Sequence, residues 1–141
     1  QKGGTWGKGI HVRSVGRVDD PQNLAALYSA ADVHVGPSRM ESFSQTAAES
    51  IASGTPVVAF RVGGVPEVVR NEQVGILVDP FDTEGFAAAM DRATTLKQVC
   101  SQVGPDLAGT WRPTVVGQQY LETYALAREE WEQRVRSRPP I

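Results

Sequence analysis

An α/β fold, a parallel sheet with helices on both faces, is what this 141-residue sequence predicts, on three observations. Short β-prone runs alternate with amphipathic stretches over the first two thirds of the chain, the order that gives right-handed βαβ crossovers. The run TPVVAF (Thr55 to Phe60) is almost wholly apolar at strand length, the mark of a strand covered on both faces. Glycine and proline stand where elements should end, at Gly16, Gly36-Pro37, Gly54 and Gly63-Gly64.

Taken in order, Ile10 to Val15 reads as a strand closed by Gly16. Asp20-Pro21 then opens a helix, proline being favoured in a first turn. Leu24, Leu27 and Tyr28 recur on it at helical spacing and should pack on the sheet. Asp32 to Gly36 is a second strand. Gln45 to Ser53 holds strong helix formers, with Ser44 as the expected N-cap and Gly54 where a left-handed cap is wanted. After the strand TPVVAF come a turn at Gly63-Gly64, a short helix (VPEVVRN) and a fourth strand (GILVD). Asp82 should cap a helix whose apolar face is Phe86, Ala89, Met90 and Ala93. The parallel sheet would thus have about four strands, with the loops after Val15, Val35, Phe60 and Val78 on its ligand-binding rim. Beyond Leu96 the helical pattern is interrupted by Gly104-Pro105 and Gly109, and it returns from Thr114 to about Arg136. There Val116, Tyr120, Tyr124, Ala127 and Trp131 make a stripe that needs a surface, on this domain or on another part of the protein. The expected organisation is a flexible segment over residues 1–9, an α/β domain over 10–112, and a helix with a frayed tail over 113–141.

Composition narrows the function classes. Fourteen basic and sixteen acidic residues leave a net charge of -2, so no field is available to hold duplex nucleic acid. Cys100 is the single cysteine and can form no intrachain disulfide. No apolar run reaches the roughly 18–20 residues that span a bilayer, and the start QKGGTWGKG lacks the apolar core of a signal peptide. A cytoplasmic location is expected. A chain that opens on Gln rather than Met reads as a piece of a longer protein. GGTWGKG has glycines and a lysine but not the spacing, the Ser/Thr or the preceding strand of a phosphate loop, and is read as a flexible loop. His11 and His34 have no partners at metal-ligand spacing, so no metal is expected. No Gly-x-Ser-x-Gly elbow is present, and Cys100 has no matching histidine.

The chemistry is carried by two glutamates, Glu41 and Glu49, with seven residues between them. A helix starting after Ser44 directs its free N–H groups, from Phe43 to Thr46, toward the rim, where an anion such as a diphosphate would sit. Glu49 lies a turn further on among Ala47, Ala48, Ile51 and Ala52, small neighbours over which a ligand could lie. A carboxylate there suits vicinal hydroxyls such as those of a ribose, at roughly 1.5–3 kcal/mol per charge-assisted bond. The plain alternatives are a solvated helix glutamate, or an acid that serves only the helix dipole at about 0.3–1 kcal/mol. A glycosidase acid–base pair fits poorly beside a site that favours an anion.

The block ADVHVGPSRMESFSQTAAESIASGTPVVAFRVGGVPEVVRNEQVGILVDPFD resembles the nucleotide-sugar-binding half of retaining glycosyltransferases of family 4, which have the GT-B fold. Five elements of that family stand here in order: Pro-Ser, Glu-x7-Glu, Gly-x-Pro-Val-Val, Gly-Gly-x-Pro-Glu and Gly-x-Leu-Val. Each is weak alone, and the combination is specific.

The resemblance implies a Rossmann-like, donor-binding C-terminal half of a hexosyltransferase that needs no cofactor. Its motif places the catalytic glutamate, which faces the donor sugar, on Glu41, and the ribose-holding one on Glu49. The backbone of Ser42, Phe43 and Ser44 matches the part that approaches sugar and diphosphate, and Arg17 and Val18 match the loop that reads the nucleobase edge. Gly63 and Gly64 keep a close backbone approach open. The family more often has Gly where this chain has Ser44, and its phosphate-neutralising Arg and Lys lie in an upstream segment not found here. The implied partners are a nucleoside diphosphate sugar and an N-terminal acceptor domain. The implied acceptor is a glycan or a lipid-linked sugar, which leaves room for peripheral association of the whole enzyme with the inner face of the cell membrane. Two alternatives stay open: a non-catalytic Rossmann-like binding module, and a related GT-B sugar synthase or phosphorylase.

Overall fold

The computed structural model describes residues 3–6 and 9–137. Lys8, most of the tail SRPPI, and residues 1, 2 and 7 of the segment expected to be flexible lie outside them.

The core is built on one strand. Residues Val57–Phe60 (β4) are buried along their whole length, and alternation sends Val57 and Ala59 to one face and Val58 and Phe60 to the other. β4 is the middle of a three-stranded parallel sheet, between His34–Gly36 (β3) and Gly75–Val78 (β5). The register pairs Val35 with Val58, and Val58 with Ile76. On one face Gln45–Ala52 (α2) and Val65–Val68 (α3) contribute Ala47, Ala48, Ile51, Val65 and Val68, and on the other Thr83–Ala93 (α4) contributes Phe86, Ala89 and Ala93. Several expected punctuation marks hold. Asp20 accepts from the N–H groups of Gln22 and Asn23 at the start of Pro21–Ser29 (α1), Asp82 accepts from Gly85 at the start of α4, and Gly54 takes φ 76°.

The structure corrects three expectations and leaves a fourth open. The first strand, Ile10–Arg13 (β2), does not join the parallel sheet. It forms an antiparallel pair with Gly3–Trp6 (β1), part of the segment expected to be a flexible loop. The nearest unpaired backbone wins because closing a short hairpin costs little chain entropy, and Ile10, Val12 and Val15 stay exposed. The loop after Val15 is therefore not held on the sheet's rim. α1, secondly, buries no residue and packs on α2, leaving Leu27 40% exposed.

Thirdly, Gly104-Pro105 does not break the chain. Lys97–Ala108 is one helix (α5) with Pro105 inside it, packed against α2. Gly104 is the point of contact, since a Cβ there would lie 2.3 Å from the Ile51 carbonyl oxygen. The small residue sets the helix spacing, and that packing outweighs a proline that costs about 3 kcal/mol in an exposed helix. Cys100 faces the same contact, fully buried, and burial pushes its thiol up to about 11. Such a thiol is an inert packing group.

Lastly, the long helix Pro113–Arg136 (α6) forms as expected, yet it buries none of its residues. Tyr120, Leu121, Tyr124 and Trp131 are each more than half exposed.

Candidate functional site

Glu41, Ser42, Phe43 and Ser44 form the loop from β3 to α2, at the carboxyl end of the sheet. Two glycines on the next loop hold it. A Cβ on Gly63 would lie 1.7 Å from the Glu41 carbonyl oxygen, and one on Gly64 2.1 Å from that of Ser42. Gly63 also needs φ 49°, and the Gly64 N–H approaches the Glu41 carbonyl at 3.4 Å. The close approach expected at Gly63-Gly64 is thus made to the Glu41 loop itself, and the glycine pair acts as a mould for the loop. The Glu41 carboxylate turns back to accept the Ser42 N–H at 3.1 Å.

Ser44 occupies the N-cap position of α2, but not in the way its hydroxyl suggested. Its backbone is left-handed, φ 67° and ψ 69°, and its side chain makes no capping bond. The first N–H groups of α2 therefore have no side-chain acceptor, which leaves the positive end of the helix open beside Glu41. A β-carbon in this conformation costs roughly 1–2 kcal/mol. Ser44→Gly, which loses no hydrogen bond, is expected to raise stability by roughly 0.5–1 kcal/mol after the flexibility gained by the unfolded chain. Urea denaturation checks it, and an unchanged or lower midpoint would mean that Ser44 is not left-handed in solution.

Glu49 projects from α2 as a half-buried carboxylate and accepts the Tyr28 hydroxyl at 3.2 Å. Tyr28 stands edge-on to His34, with ring centroids 5.7 Å apart. Burial raises the Tyr28 pKa, and the charge and hydrogen bond of Glu49 raise it further. Burial lowers that of His34, against the attraction of Glu49. Around the acid, then, a neutral phenol and a neutral imidazole are held at physiological pH.

A hub fixes this group from behind. The buried Thr55 donates its hydroxyl to the Tyr28 carbonyl at 2.7 Å, Ser50 donates to the Thr55 carbonyl at 3.0 Å, and Lys97 reaches both Thr55 Oγ1 and the Ser29 carbonyl. Lys97 thus meets the negative end of α1. Tyr28, Thr55 and Lys97 carried no motif in the sequence.

Arg17 and Val18 lie on the loop between β2 and α1, where Arg17 pairs with Asp19. Among the described residues no hydrogen bond or ion pair joins them to the two glutamates. Phe43 turns to the other side and meets Trp111 edge-on at 6.2 Å, and Arg70 lies over that indole. A cavity of about 400 Å³ opens near the rim, lined by Pro37, Arg39, Phe60, Phe81, Thr83 and Phe86, with Arg39 over the Phe81 ring. Among the described residues no group of three or more His, Cys, Asp and Glu side chains could hold a metal ion, and no helix is long and apolar enough to cross a membrane.

Residues 4–96 match the model of the family described as glycosyl transferases group 1. The chain belongs to that family. Its relatives include a D-inositol 3-phosphate glycosyltransferase of Saccharomonospora viridis, 49% identical over 78 residues, 55% of this chain and 18% of that protein. Another, of Acidothermus cellulolyticus and under the same name, is 39% identical over 124 residues, 84% of this chain and 28% of that one. Among solved structures, sucrose-phosphate synthase from Thermosynechococcus elongatus superposes with a TM-score of 0.68 at 35% identity, covering 84% of this group 1 chain and 31% of the synthase. The parallel sheet with helices on both faces is thus the GT-B glycosyltransferase architecture. The chain spans less than a third of each of these relatives.

Proposed function

We propose that this chain is the donor-binding half of a retaining family 4 hexosyltransferase, and that it holds a nucleoside diphosphate sugar between Glu41 and Glu49. The observation that carries the reading is the uncapped start of α2, flanked by the two carboxylates at the sheet's carboxyl end. Backbone N–H groups fixed at a helix start receive charge as it develops on the departing diphosphate, without reorganising at the moment of reaction. Glu49, oriented by Tyr28, receives the ribose hydroxyls. Glu41 holds sugar hydroxyls or stabilises positive charge at the anomeric carbon. No metal or cofactor is assigned a role. The acceptor belongs to the remainder of the protein, and so does a location at the inner face of the membrane. The names of the relatives suggest a phosphorylated cyclic polyol or sugar as acceptor.

The test is a titration of the complete protein with uridine, guanosine and adenosine diphosphate sugars, followed by amide NMR shifts. One series should move Ser42 to Thr46, together with Arg17 and Val18. Shifts confined to other surfaces would overturn the donor reading. Because the family's cations lie outside this sequence, the isolated chain should bind the same nucleotide only weakly.

A further inference from the structure

The outer edge of β5 is the most unusual surface away from the two glutamates. Among the described residues β5 pairs with β4 alone. The Val74 and Val78 carbonyls accept from Val57 and Arg61 on that side, so the alternate residues Gly75, buried beside Val69, and Leu77, half-buried, direct their N–H and C=O groups away from β4. An unpaired edge is a template for another strand.

This edge is the floor of a groove of about 380 Å³ whose walls carry Arg61, Arg70 and Arg92, with Glu72 as the opposing charge. Arg61 and Arg92 make no ion pair among the described residues, while Arg70 donates its Nε to the Glu67 carbonyl at 2.7 Å and lies over the Trp111 indole. In a chain of net charge -2, three guanidinium groups along one open edge are a local reversal of sign. Charges on an edge can serve simply to deter pairing, but arginines walling a groove also supply planar, bidentate donors for carboxylates.

We propose that this edge binds an acidic peptide segment in extended form, which adds as a further strand beside β5. Its main chain would bond to Leu77 and, as the strand seats, to Gly75, which is covered in the free chain, and its alternate Asp or Glu side chains would reach Arg61 and Arg92. This recognition mode draws affinity from the backbone and selectivity from alternate side chains. The site is separate from the glutamate pair, neither of which lines the groove.

The test uses the complete protein and a capped heptapeptide of alternating Glu and Val, read by fluorescence anisotropy. Saturable binding is expected, weaker by about tenfold or more in the Arg61→Gln/Arg92→Gln double variant, since charge-assisted bonds are lost. The same peptide N-methylated at alternate residues should lose binding comparably. Equal binding of the methylated peptide would reduce the site to a charge effect and overturn the strand. Displacement by millimolar inorganic phosphate would assign the groove to a small anion instead. No binding, or binding that both arginine substitutions leave unchanged, also rejects the proposal. Nucleotide binding, measured on the same samples, should be indifferent to the double variant, so failure of the donor reading is seen separately.

Discussion

Gly63→Ala is expected to destabilise the protein by roughly 3 kcal/mol and to displace the loop that carries Glu41. Two costs add. An Ala at φ 49° pays about 1–2 kcal/mol for its Cβ, and that Cβ would stand 1.7 Å from the Glu41 carbonyl oxygen. The obstacle is main chain, which cannot rotate aside as a side chain can, so relief requires a backbone shift of the overpacking kind, at about 1–3 kcal/mol. Urea denaturation gives the stability, and the amide resonances of Ser42 to Ser44 report the loop. A loss below about 1 kcal/mol with unmoved resonances would mean that the glycine pair does not mould the loop.

Glu49→Ala should separate binding from folding in the complete protein. Nucleotide affinity is expected to fall by about tenfold to a hundredfold, the loss of one or two charge-assisted bonds to a ribose. Stability should change by less than about 1 kcal/mol, because the substitution removes only the 3.2 Å bond from Tyr28 at a half-buried position. A 2′-deoxy nucleotide completes the cycle: its affinity should fall less on substitution than that of the ribonucleotide. If Glu49→Ala unfolds the protein while binding per folded molecule is unchanged, the carboxylate is a structural partner of Tyr28 and nothing more.

What the sequence revealed and what it hid divide along a physical line. Wherever a local rule and the tertiary context agree, the reading was direct. The unbroken apolar run of β4 reports burial on both faces, and Asp20, Asp82 and Gly54 stop and start helices by chemistry contained within a few residues. The errors arise where a distant contact overrules the local preference. Gly104-Pro105 reads as a breaker until Ile51 is seen to require the missing side chain. Ser44 reads as a cap until its backbone is seen to be left-handed, and β2 reads as a sheet strand until its pairing with β1 is known. The two glutamates stand out in the sequence by their spacing, and the structure sets Glu41 on the loop before α2 and Glu49 on the helix. The bond from Tyr28 to Glu49 joins residues 21 apart in sequence, and the hub of Thr55 and Lys97 joins residues 42 apart. No motif encodes such contacts.

The exposed C-terminal helix bears on how the molecule comes apart. Cooperativity is transmitted by shared buried surface, and a helix of 24 residues that buries none of them shares little with the sheet. In the isolated chain α6 is a nearly independent thermodynamic unit, governed by helix–coil equilibrium rather than by the core. Its amides then exchange through local fraying while β4 waits for global unfolding, so the chain has two stabilities, and a single melting temperature describes only one of them.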